Sequence, residues 1–164
     1  MPVGVIVERR AIDNPWQDFS WRPVGVIPGA GQPAGDGWTV LESGDGWTRF
    51  HAATLPLELY ARETEGYRVN LSNEPPHVYV VLRPDDEGEA EVAPFLVTAC
   101  PFEAEGYDQS GDEIVQGVPM PAEMIGWIRD FVDRHHRDIP FKKRKNRPHD
   151  PRKGGAWAGG RPGP

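Results

Sequence analysis

Residues 1–139 contain no lysine, and the whole 164-residue chain contains one cysteine. A single Cys100 excludes an intrachain disulfide, and it excludes a thiolate zinc or iron–sulfur site built from this chain alone. Cys100 follows the apolar run Phe95–Ala99, which reads as a buried, inert thiol. No stretch approaches the ~18 consecutive apolar residues of a membrane-spanning helix. The N-terminal run Val3–Val7 is too short for a signal peptide, and Arg9 and Arg10 follow it instead of preceding it. These absences point to a soluble protein of the reducing cytoplasm, with no membrane partner.

What is present is a charge divided in two. Residues 1–139 hold 24 Asp+Glu against 10 Arg, a net charge near −14. Residues 140–164 hold 4 Lys and 4 Arg against Asp150 alone, near +7, which leaves the chain at −7. The length fits one domain. A body of residues 1–139 is long enough for a true core, with 5 Trp, 5 Phe and 4 Tyr to fill it. Residues 140–164 are basic and rich in Pro and Gly, without the apolar periodicity that repays ordering entropy. They read as a disordered tail.

Along the body, short extended runs alternate with turns. Val3–Val7, Trp16–Ile27, Trp38–Leu41, Trp47–Leu55, Tyr67–Leu71, His77–Arg83 and Ala93–Ala99 read as strands. Pro23 places its strand at an edge or a bend. Ser43-Gly44-Asp45-Gly46 between two such runs signals a hairpin. Met124, Ile125, Ile128, Phe131 and Val132 fall on one face of a helix over about 121–137, closed by Pro140. A short helical turn around Phe102–Tyr107 is a weaker signal. The expected fold is α+β and mainly β: a compact antiparallel sheet or partly closed barrel of six to seven short strands, with one C-terminal amphipathic helix.

No set of residues carries a recognisable catalytic pattern. Adjacent His135 and His136 point about 100° apart on a helix and cannot chelate as an i, i+4 pair does. Asp112-Glu113, Asp85-Asp86 and Glu103/Glu105 lie in polar stretches that offer no desolvated carboxyl. Gly29-Ala30-Gly31 has no following Lys-Ser/Thr, so it is no phosphate loop. Neither a catalytic residue, a metal nor a cofactor is expected.

Two polar regions remain as candidate partner-binding sites. Arg68, Asn70 and Ser72 share one face if Tyr67–Leu71 is a strand, with Asn73 beside them. Arg and Asn on such a face suit a carboxylate, a phosphate or a peptide backbone, and equally suit plain solvent. The second region is the basic run Lys142, Lys143, Arg144, Lys145. Nucleic acid is one reading of it. The tail offers no interleaved aromatics except Trp157, and the acidic body repels a phosphate backbone. An acidic protein partner, or plain solubility, fits better.

Several segments in order carry a resemblance. They include Val3–Arg10, Trp21-Arg22-Pro23-Val24, Arg49-Phe50-His51-Ala52, Tyr67-Arg68-Val69-Asn70-Leu71, His77–Arg83 and Phe131–His136. Over about residues 3–147 the chain resembles a proteobacterial family of small proteins encoded near formate dehydrogenase and molybdenum-cofactor genes, a domain of unknown function. With no catalytic constellation in the residues, the expectation is a cytoplasmic, non-catalytic accessory protein, and the resemblance supplies its pathway. Its implied partner is a molybdoenzyme subunit, such as one of formate dehydrogenase, or a maturation factor. Some members are named as molybdopterin-guanine dinucleotide biosynthesis proteins. A nucleotidyltransferase of that kind carries an N-terminal Gly-rich phosphate loop and a Lys, and Val3–Arg10 has neither. An enzyme of cofactor synthesis and a nucleic-acid-binding protein are the alternatives.

Overall fold

The computed structural model describes residues 1–35, 37–88, 90–140, 142 and 143. Strands β1 (Pro2–Ala11), β2 (Phe19–Pro28), β3 (Thr39–Gly44) and β4 (Trp47–Pro56) form an antiparallel sheet in the order β2-β1-β4-β3. Helix α1 (Thr64–Leu71) crosses to a second antiparallel sheet. That sheet consists of β5 (His77–Pro84), β6 (Val92–Thr98) and β7 (Ile114–Pro119), in the order β6-β5-β7. Helix α2 (Pro101–Asp108) lies between β6 and β7, and α3 (Ala122–His135) follows β7.

The strands form where the sequence alternates. Val3, Val5 and Val7 of β1 are fully buried, and so are Val78, Val80 and Leu82 of β5. Both sheets contribute their inner faces to one core. Pro23 sits where β2 slips by one residue against β1, and β2 is a sheet edge, so the missing N–H costs no central ladder bond. The β3–β4 hairpin turns at Asp45-Gly46, with Gly46 at φ +75°. Only glycine takes that conformation without a Cβ penalty.

Helix α3 brings Met124, Ile128 and Val132 into the same core, and Phe131 packs at its margin. Its ends fall within two residues of the expected 121–137. Helix α2 covers the expected turn at 102–107. The fold is mainly β with a C-terminal helix, and among the described residues seven strands form two sheets, neither of which closes into a barrel.

Two elements differ from expectation. Tyr67–Leu71 is helical, not extended. Its Tyr67, Val69 and Leu71 alternate in sequence, but burial falls on Thr64, Tyr67 and Asn70, one helical face, while Val69 is exposed. Arg68, Asn70 and Ser72 therefore do not share a sheet face. Gly66 makes the helix possible here: a Cβ on it would stand 2.6 Å from Cys100 Sγ. The second difference is β7, where Gly117 and Pro119 dilute the strand signal. Pairing with β5 in unbroken register from His77↔Pro119 to Leu82↔Ile114 supplies what local propensity lacks.

Candidate partner-binding surfaces

Of the expected site residues, Arg68 and Asn70 lie on α1 and Asn73 just beyond it, in different roles. Asn70 is buried at 1% exposure. Its Nδ2 donates to the carbonyls of His77 (2.7 Å) and Ala99 (2.9 Å), and its Oδ1 accepts from the His77 N–H (2.9 Å). The amide ties α1 to the start of β5 and the end of β6, and has no free group for a partner. Arg68, on the exposed side of α1, reaches forward to the chain after α3. Its Nη1 donates to His136 Nε2 (2.7 Å) and Asp138 Oδ1 (3.2 Å), with Glu65 at 3.7 Å.

His136 completes this clamp through Nδ1 and Thr64 Oγ1 at 3.0 Å. His136 Nε2 also lies 3.0 Å from Asp138 Oδ1. The Asp138 carboxyl, in reach of His136 and Arg68, is held below the usual carboxylate range. Asn73 is exposed on the rim of an open cleft of about 550 Å³ beside Tyr79 and Gly117. Lys142 and Lys143 are exposed. Arg144 and Lys145 lie outside the described residues.

Sequence reasoning missed Glu8. It points from β1 to the outer face of the four-stranded sheet, yet it is completely buried. The register sets Arg22 of β2 and Arg49 of β4 directly opposite it on either side. Glu8 Oε1 accepts from Arg10 Nε (3.2 Å), Arg10 Nη2 (3.1 Å) and Arg22 Nη2 (3.4 Å), and Oε2 accepts from Arg49 Nε (3.1 Å). Burial pushes its pKa up, but hydrogen bonds from Arg49 and Arg10 and the charges of Arg10 and Arg22 outweigh it and hold the carboxyl below its ordinary value. The local sequence signals only a charge after an apolar run. The cluster depends on the register of three strands.

A second feature is an aromatic cleft of about 710 Å³ between the sheets, walled by Trp21, Trp38 and Phe50. Trp38 stands edge-on to both of the others at 5.5–5.6 Å. Arg9 stacks on Phe19 and Phe50, and Trp21 Nε1 donates to Glu91 Oε2 at 2.9 Å. The cleft borders the β2–β3 and β5–β6 loops, where Asp36 and Glu89 lie outside the described residues.

Cys100 is buried against Gly66, and His135 stacks on Phe131 at 4.4 Å. Among the described residues no three or more His, Cys, Asp or Glu side chains come together as a metal site would need. None of their helices is long and apolar enough to cross a membrane.

Residues 2–145 match the model of a family described as "Protein of unknown function (DUF3305)". No curated protein and no solved structure matches the chain.

Proposed function

We propose an accessory, non-catalytic role for this chain, which belongs to the DUF3305 family: it docks an acidic segment of a protein partner beside α1. The setting implied by the resemblance is assembly or maturation of a molybdenum-dependent formate dehydrogenase, with one of its subunits or maturation factors as the partner.

The observation that carries this reading is the clamp at the end of α3. Arg68, His136 and Thr64 hold the chain against α1, so the basic run that starts at Lys142 begins a few residues from a fixed point on the body. An acidic body that leads into a basic segment presents a local positive field to an acidic surface. Val69 (40% exposed) and Phe102 (55% exposed) add large apolar contacts on the α1–α2 side.

The test is binding of the full chain to isolated formate dehydrogenase subunits at low and moderate salt. It is paired with a variant carrying Lys142→Gln, Lys143→Gln, Arg144→Gln and Lys145→Gln. The expected result is slower association by the variant and a flatter salt dependence, with an unchanged melting temperature. Tight binding of random duplex DNA with a steep salt slope would replace this reading with nucleic-acid binding. A stoichiometric guanine nucleotide in the native preparation would replace it with a cofactor-synthesis enzyme.

A further inference from the structure

The outer face of the four-stranded sheet reverses the charge trend of the body. Arg22, Glu8, Arg49 and Glu42 stand opposite one another across β2, β1, β4 and β3 in register. Arg10 lies two residues along β1 on the same face. Glu8 is wholly covered, while the Arg10, Arg22 and Arg49 side chains are 49%, 60% and 41% exposed. Glu42 adds one contact, to Arg49 Nη1 at 3.5 Å. Three guanidiniums thus outnumber two carboxylates. Each guanidinium carries a rigid plane of N–H donors, and most of those donors have no protein acceptor among the described residues.

Glu8 fixes the planes of these arginines. A carboxylate on which three forks converge dictates where each fork sits, which a loose surface charge does not. Trp47 further restrains Arg49, whose Cζ lies 5.0 Å from the indole ring centre. Arg22 and Arg49 rise from strands on either side of β1, about 10 Å apart by strand spacing, and Arg10 lies about 7 Å along β1 from Glu8. Donors therefore reach the space above Glu8 from three directions. A tetrahedral oxyanion offers acceptor oxygens toward all three, whereas a carboxylate offers them in one plane.

The geometry points to an oxyanion site at Arg10, Arg22 and Arg49, held in place by Glu8, that takes a phosphate group either free or as a phosphomonoester. The acidic remainder of the body opposes long-range attraction, so affinity rests on short-range fork contacts, not on steering. Glu8 is a positioning residue here, and the arginines would touch the ligand. The site is separate from the clamp at α1 and does not depend on the accessory reading.

The test is a titration of the full chain with inorganic phosphate, pyrophosphate and adenosine monophosphate at low salt, followed through the arginine Nε–H resonances by NMR. Saturable shifts are expected at Arg10, Arg22 and Arg49, with dissociation constants of about millimolar order or tighter. Equal affinity for phosphate and the nucleotide assigns the phosphate group as the whole ligand, and tighter nucleotide binding assigns a phosphomonoester. Arg22→Lys keeps the charge and loses the fork, so affinity should fall at least about five-fold at an unchanged melting temperature. The inference is overturned if none of the three anions produces saturable shifts, if shifts appear only at arginines other than these three, or if Arg22→Lys binds as well as the parent.

Discussion

Asn70 and Glu8 are both polar, both out of water and both fully paired, yet they are satisfied by different kinds of group. Asn70 bonds three backbone atoms, on β5 and just after β6. Glu8 bonds three side chains that are themselves about half exposed. A buried group satisfied by backbone fixes the path of the chain. A buried group satisfied by exposed side chains fixes where those side chains stand. The first kind serves the fold, and the second arranges a surface.

The largest expected effect is on the Asn70 side. Asn70→Asp sets a carboxylate against the carbonyl oxygens of His77 and Ala99, which it can only repel unless it is protonated. Asn70→Ala leaves three backbone groups without partners and should cost about 3 kcal/mol. Asn70→Asp should cost more. Denaturant unfolding of the two variants checks the order, and a loss below about 1 kcal/mol for Asn70→Ala would erase the distinction from Glu8.

Next comes the packing beside Asn70. Gly66→Ala forces a Cβ onto Cys100 Sγ and should cost about 1–3 kcal/mol by overpacking. Cys100→Ala in the same chain should recover much of that loss. Melts of the two single variants and the double variant read the coupling directly, and strict additivity would mean that the close approach is not what Gly66 supplies.

On the other side, Glu8→Gln should cost only about 1 kcal/mol at neutral pH, because its arginine partners can turn to water. Its pH dependence has a definite sign. The folded pKa of Glu8 lies below the ordinary 4.5, so the contribution of its charge is complete above that value and fades as pH falls through the folded pKa. The gap between the parent and Glu8→Gln should be constant near neutrality and close in acid. A gap that widens as pH falls would mean that burial, not the arginines, dominates. The smallest effect is that of Arg22→Lys on stability, expected within about 0.5 kcal/mol.

How much of this was legible in the sequence follows the range of the interactions. β1, the Asp45-Gly46 hairpin, β5 and α3 were legible because each carries its own period or turn. α1 was not: Tyr67, Val69 and Leu71 fit a period of two as readily as Thr64, Tyr67 and Asn70 fit a helical face, and only packing against Cys100 decides between them. β7 was hidden by Gly117, whose missing side chain is what lets Tyr79 lie close, 3.3 Å from where a Cβ would be. The division into two sheets depends on strand partners far apart in sequence. In the candidate sites, Arg68, Asn73, Lys142 and Lys143 are exposed, whereas Asn70 is interior. Glu8 escaped notice because its partners come from three strands.

The contrast between the two buried groups is tested most directly by NMR order parameters of the Arg10, Arg22 and Arg49 Nε–H groups in the parent and in Glu8→Gln. The account predicts that all three become more mobile while the backbone amide spectrum of both sheets stays in place. Arginines as rigid as before, or backbone shifts spreading through β1 and its neighbours, would show that Glu8 serves the fold as Asn70 does and arranges no surface.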